Sequence, residues 1–179
     1  MDELWKNIVN LENLDFEPDP SVPGNYEYQT APKAFASAMG AKKLGWNVSV
    51  IPPGKFSAPY HFHHSEEELF LVLDGKAILR QGNQYREVIK GDLIFFGTTP
   101  EAAHQFYNHS DSPLRYLALS TLDSFDVCEY PDSKKINVRK IKKIFQEKTA
   151  VPYWTDEEDP EKYWPKKHLR ADAFGEEHK

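Results

Sequence analysis

Between positions 44 and 121 the chain is a series of short apolar or alternating runs. A turn signal stops each run after roughly ten residues, and no helical period separates them. Leu44–Ile51 alternates apolar and polar residues and ends at Pro52-Pro53-Gly54. Residues 69–73 form a continuous apolar run ending at Asp74-Gly75, a pair suited to a hairpin turn. Residues 77–80, 85–89, 93–96, 104–108 and 114–119 continue the series, with Gly82-Asn83, Gly91-Asp92 and the turn-rich stretch 108–113 between them. About seven or eight short strands at this spacing predict an all-β sandwich or barrel. A parallel sheet is disfavoured because no crossover helix fits between the runs.

The flanks have a different texture. Residues 1–40 read as a lead-in to the barrel. Pro18, Pro20, Pro23 and Gly24 punctuate it, and 26–30 reads as an edge strand. Residues 41–125 carry the barrel. Residues 126–179 read as an irregular or partly helical tail, in which Tyr153, Trp154, Tyr163 and Trp164 are apolar pegs for the barrel or a partner subunit. The basic stretch Lys134, Lys135, Arg139, Lys140, Lys142 and Lys143 reads as a solvated element. With a formal net charge of −6, no nucleic-acid partner is expected. The single cysteine, Cys128, can form no internal disulfide and reads as a small buried hydrophobe. No basic segment followed by an apolar core opens the sequence, and no apolar run approaches the ~20 residues that span a bilayer. A soluble cytoplasmic protein with no membrane partner is expected.

The chemistry concentrates in Tyr60-His61-Phe62-His63-His64-Ser65-Glu66-Glu67-Glu68. On an extended strand residues two apart share a face, so His61 and His63 point one way and His64 the other. Paired imidazoles on an inner face suit a transition-metal ion. Glu68 has the wrong parity for His63 unless 64–67 turns or bulges. Such a turn would let Glu68 lead the next strand back into the same cavity. Two of the three glutamates then read as solvated loop charges, with Glu68 the ligand and Glu67 the reserve. A further histidine, His104, follows a separate Gly-Asp turn and apolar strand. His61, His63, Glu68 and His104 are therefore expected to form one metal site.

These residues give the chain its resemblance to the cupins, double-stranded β-helices of the jelly-roll class. Gly54, His61, His63, Glu68 and Gly75 follow the family's first motif, with one residue more than usual between Gly54 and His61. Gly91, His104 and Asn108 follow the second. Within it, Gly97 and Thr99 replace the usual proline and glycine, and 100–103 carries two extra residues. Motif resemblance covers about 44–121. The stretch to about 135, including Val127-Cys128-Glu129-Tyr130-Pro131, resembles an uncharacterised bacterial branch of single-domain cupins.

The resemblance implies one divalent ion per chain, Fe, Mn, Zn, Ni or Co, and a homodimer. It also implies a small-molecule ligand or substrate. Cupins include dioxygenases, sugar isomerases and epimerases, and plain binding or sensing proteins, so three roles follow: a metal-dependent enzyme on a small polar molecule, a binding protein without turnover, or a barrel tied together by its metal. Tyr60, Gln105 and Tyr116 are the candidates for an acid or base near the ion. Phe56, Phe62, Phe70, Phe95, Phe96 and Phe106 are expected mostly in the core, with one or two at the cavity mouth.

Overall fold

The alternation of Leu44–Ile51 gives one strand of the barrel an inner and an outer face. In the computed structural model, which describes residues 7–18, 22–26, 29–30 and 35–169, this run is a strand whose inner face reads Gly45, Asn47, Ser49, Ile51. The strands in order are β1 (Glu17–Pro18), β2 (Gln29–Thr30), β3 (Leu44–Ile51), β4 (Phe62–His63), β5 (Glu68–Asp74), β6 (Lys76–Gln81) and β7 (Gln84–Ile89). They continue with β8 (Leu93–Phe96), β9 (His104–Tyr107), β10 (Leu114–Thr121), β11 (Val127–Tyr130), β12 (Lys135–Val138) and β13 (Lys143–Gln146). A short helix, α1 (Phe35–Ala38), precedes β3.

One antiparallel sheet has the order β1-β2-β3-β10-β5-β8. Facing strands form the orders β13-β12-β11-β4 and β7-β6-β9, and the single bridges Phe56↔Tyr107 and His61↔His104 stitch these two into a second layer. The all-β fold expected from the strand spacing is thus present, in the layered barrel form that the family resemblance implies. Its core lies between the layers, where Ile51, Phe70, Val72, Leu79, Phe96, Phe106, Leu114 and Tyr116 are all buried. Phe70 meets Phe96 edge to face, with ring centroids 5.2 Å apart. Phe62 is buried as well, whereas Phe95 points outward and is exposed.

Asp74-Gly75 does not make a hairpin. β5 pairs with β10 and β8, and β6 pairs with β7 and β9, so this turn carries the chain from one layer to the other. Gly75 has φ of +78°, and a Cβ there would lie 2.4 Å from the Pro113 carbonyl oxygen. Both the left-handed backbone and the close approach require glycine at this corner. The β6–β7 hairpin turns instead at Gly82-Asn83.

The edge strand expected over 26–30 is confined to β2, which lies between β1 and β3; Gly24–Tyr26 is a 3₁₀ turn, and 27–28 lie outside the described residues. The lead-in is fastened by Arg115, whose guanidinium binds the Glu12 carboxylate and the Leu11 carbonyl. The expected irregular tail begins later than 126. Residues 127–146 are strands β11–β13 of the unit formed by residues 1–147. The second unit, from Lys148, carries only 3₁₀ turns among its described residues. There Tyr153, Trp154, Tyr163 and Trp164 are all exposed, and the first two meet edge to face at 4.8 Å. Among the described residues no helix is long and apolar enough to cross a membrane.

Asn108 closes the barrel beside the first sheet. Its side chain is fully buried, donates to the carbonyls of Ile51 and Ser112 at 2.8 Å each, and accepts from the Ser110 amide and hydroxyl at 3.0 and 2.8 Å. Asn108→Ala leaves the buried Ile51 carbonyl without this donor. It should cost about 3 kcal/mol of stability, read as a lower urea midpoint with an unchanged slope.

Candidate metal centre

The bridge between His61 and His104 brings the two sequence motifs together. Their backbones exchange hydrogen bonds, His104 N–H to His61 O at 2.9 Å and His61 N–H to His104 O at 3.3 Å. Residues directly opposite in an antiparallel pair project to the same face, so both imidazoles enter the barrel, with ring centroids 4.9 Å apart. His63, two residues on, shares that face, its ring 5.2 Å from that of His61. The chain then bends through 64–67, and Glu68 opens β5 in the opposite layer. Its Oε2 lies 3.5 Å from His104 Nε2 and 3.8 Å from His63 Nε2. The ligand-type atoms of His61, Glu68 and His104 all lie within 4.8 Å of one another. The four residues singled out in the sequence are therefore gathered at one place. His64 points away, as its parity requires, and pairs with Glu129 at 2.9 Å on the exposed side.

The hydrogen bonds around the rings decide what the cluster can hold. His61 Nδ1 lies 2.8 Å from the Pro59 carbonyl, His104 Nδ1 3.1 Å from the Ala102 carbonyl, and His63 Nδ1 2.7 Å from Asp126 Oδ2. All three partners are acceptors, so each Nδ1 donates, and a ring in its neutral form keeps its Nε2 lone pair free. His104 Nε2 is buried and has no hydrogen-bond partner. An orphaned buried acceptor is costly. Here it faces a carboxylate oxygen at a distance that a shared cation would bridge. Three imidazoles and a carboxylate with this orientation fit a divalent first-row metal ion.

The electrostatics agree. Burial, helped by the neighbouring His63, lowers the His61 pKa to about 4. Burial also holds His104 well below the ordinary histidine value, with His61 adding to the effect. His104 lies flat against Phe96 at 3.6 Å and edge-on to Phe70 at 5.5 Å, which removes water from its faces. Burial raises Glu68 to about 7. Without a cation, burial disfavours imidazolium at His61 and His104 and carboxylate at Glu68.

Several neighbours were not legible in the sequence. Glu66, expected as a solvated loop charge, is buried: its carboxylate binds Arg139 and accepts the Asp123 amide at 2.9 Å. Glu67 is exposed, as expected of a loop charge. Asp126 is fully buried. Cys128 lies opposite His63 on β11, buried as expected, with its thiol pushed up to about 12 by burial. Its sulfur is within 4.8 Å of ligand atoms of His61 and His63. The Tyr130 ring stacks on His61 at 5.9 Å, and burial pushes its hydroxyl up to about 12. These residues reach the site because β11 pairs with β4, a long-range pairing that no local pattern announces.

The three candidates for a nearby acid or base have other duties. The Tyr60 hydroxyl accepts the Gly82 amide at 2.8 Å and its ring lies under Arg80. Gln105 donates to the Ala58 carbonyl at 3.1 Å, and Tyr116 packs against Phe70 and Phe106.

Comparison with known proteins places the central region. A family model described as the cupin domain matches residues 47–120. An uncharacterised protein of Methanocaldococcus jannaschii is 31% identical over 72 residues, which is 40% of this chain and 55% of that one, so the match spans about half the relative's length. A crystal structure from Acidithiobacillus ferrooxidans, provisionally described as a sugar phosphate isomerase, superposes with a TM-score of 0.74 at 24% identity, covering 84% of this chain and 98% of that one. A second, described as a sugar phosphate isomerase of the cupin superfamily from Silicibacter pomeroyi, gives 0.68 at 19% identity, with coverages of 81% and 96%. A polyketide cyclase from Streptomyces resistomycificus gives 0.53 at 24%, with coverages of 65% and 79%. These likenesses establish the fold, which by itself selects no activity.

Two outcomes test the ligand set. His61→Ala and His104→Ala should each lower cobalt or zinc retention after desalting by at least tenfold, whereas His64→Ala should leave it within twofold, as read by elemental analysis. An equal loss in all three would refute the strand register. The second outcome concerns protons. At pH 6 the metal-free Glu68 carboxyl is mostly protonated, and a metal takes the anion. His61 is already neutral there and has no proton to give. Zinc binding at pH 6 should release at least the Glu68 proton, seen by calorimetry in buffers of different ionisation heat, and affinity should rise between pH 6 and 8. Zinc affinity that is flat across this range would contradict the assignment.

Proposed function

We propose that this chain, whose residues 47–120 match the cupin-domain model, is a metal-dependent enzyme acting on a small polar molecule, with His61, His63, Glu68 and His104 holding the ion. The observation that carries this reading is the engagement of all three imidazole Nδ1 atoms by acceptors, which leaves three Nε2 atoms for an ion beside one carboxylate. A divalent ion with open positions supplies Lewis acidity toward a carbonyl or hydroxyl oxygen.

The barrel wall supports a polar ligand. Across the first sheet the register aligns Gly45 with Ser120 and Ser120 with Glu68, and the next layer aligns Asn47 with Ala118 and Ala118 with Phe70. Inner-face residues at the metal end are thus glycine, asparagine, serine and alanine, and each is only partly buried. Toward the other end the same faces carry Ile51, Leu114 and Val72, all shut from solvent. A Cβ at position 45 would lie 2.9 Å from the Ser120 hydroxyl, so the close approach of Ser120 favours glycine there. Asn47 Oδ1 is a second buried acceptor without a partner. The wall at the metal end is therefore built of small side chains and able to form hydrogen bonds, which suits a hydroxylated substrate. The Tyr130 ring screens His61 from water on its stacked side.

Sugar isomerisation is the first activity to assay, because two structural likenesses covering 84% and 81% of this chain are to proteins described, one of them provisionally, in those terms. Dioxygenase chemistry is the second. Protein purified without chelators and reloaded with Mn, Fe, Co or Zn should interconvert aldose and ketose phosphates, or consume oxygen with a small polar substrate, in a metal-dependent manner that His104→Ala abolishes. Stoichiometric metal with ligand-induced stabilisation and no turnover across these assays would favour a binding or sensing protein instead.

A further inference from the structure

We propose that Asp126, supported by Arg139, is a positioning residue that fixes the His63 tautomer, so that the metal centre depends on a hairpin outside the cupin domain. The proposal rests on the metal reading above. The argument starts from how differently the three imidazoles are held. His61 and His104 each donate to the carbonyl of the residue two positions earlier, Pro59 and Ala102. The local chain alone therefore sets their orientation. His63 takes its acceptor from a side chain 63 residues away, Asp126 Oδ2 at 2.7 Å.

The hairpin topology explains this reach. β11 pairs with β4 through Cys128↔His63 and Glu129↔Phe62, and with β12 through Val127↔Val138. Asp126 and Arg139 flank the open end of that hairpin, and the Arg139 amide donates to the Asp126 carbonyl at 3.2 Å. Asp126 is fully buried, a position that an ionised carboxylate occupies only when its oxygens are satisfied. Oδ1 accepts the Ser65 amide at 3.0 Å, Oδ2 accepts His63, and the Arg139 guanidinium stands 3.7 Å from Oδ2. The same guanidinium binds Glu66, itself buried. One cation thus offsets two buried carboxylates that flank His63 Nδ1.

A carboxylate placed only to secure the turn would need the Ser65 amide and Arg139. The third bond, to the ring nitrogen remote from Glu68, keeps the proton off the nitrogen that faces Glu68. If that proton moved to Nε2, His63 could no longer donate a lone pair to an ion.

The test is Asp126→Asn, close in shape, with one acceptor oxygen for two donors. Histidine tautomers are read from long-range proton–nitrogen correlations of the metal-free, full-length protein, and zinc affinity from competition with a chromophoric chelator. Wild type should carry its His63 proton on Nδ1. The variant should shift a substantial part of it to Nε2 while His61 and His104 stay unchanged, and should bind zinc 10- to 100-fold more weakly. Arg139→Gln, which leaves Asp126 in place, should keep the tautomer and lose less than tenfold. Wild-type His63 protonated on Nε2 would overturn the proposal even if the variants failed to fold. Wild type that takes up no zinc would overturn the metal reading and the proposal with it. Zinc uptake with unchanged affinity in Asp126→Asn would overturn the positioning role alone.

Discussion

Three imidazoles with their Nδ1 atoms already engaged are the constraint on which this barrel's chemistry depends. A histidine with both nitrogens free chooses its tautomer by solvent and neighbours. Here the choice is made by the Pro59 and Ala102 carbonyls and by Asp126. What remains is a set of lone pairs and a carboxylate with few partners of their own. His104 is the clearest case, because its Nε2 is buried without a hydrogen bond. A fold does not keep an unpaired acceptor against Phe96 and Phe70 for stability. The arrangement has a physical reason if a cation completes it.

The two layers make this convergence possible. Glu68 comes from the first sheet, and the three histidines from the second. The single bridge His61↔His104 joins the strand segments carrying the two motifs, so their histidines meet without any contact between distant loops. Gly75 turns the chain between layers immediately after the strand that Glu68 opens. Packing of Phe70, Phe96 and Phe106 then holds the separation between the layers. Burial of each such ring is worth roughly 2–3 kcal/mol.

Much of this was legible in the chain itself. Turn-bounded alternation gave the all-β class, and strand parity alone separated His61 and His63 from His64. The position of Glu68 required a bend at 64–67, which the structure contains. What escaped was long-range. Asp74-Gly75 has hairpin chemistry, but whether the next strand pairs back or crosses to another layer is decided by tertiary packing. Residues 127–146 lack strong alternation, yet they form three strands because β11 finds the open edge of β4. That pairing buries Asp126 and Cys128 beside the histidines. The burial of Glu66 follows from Arg139, 73 residues later, and no local feature distinguishes it from Glu67.

The most direct measurement is the anomalous difference map of crystals grown with cobalt or manganese and recorded at that metal's absorption edge. One peak per chain, bonded to the Nε2 atoms of His61, His63 and His104 and to the Glu68 carboxylate, is the result this account requires. A peak held through Cys128 and the Nδ1 atoms, or no peak inside the barrel, would contradict it.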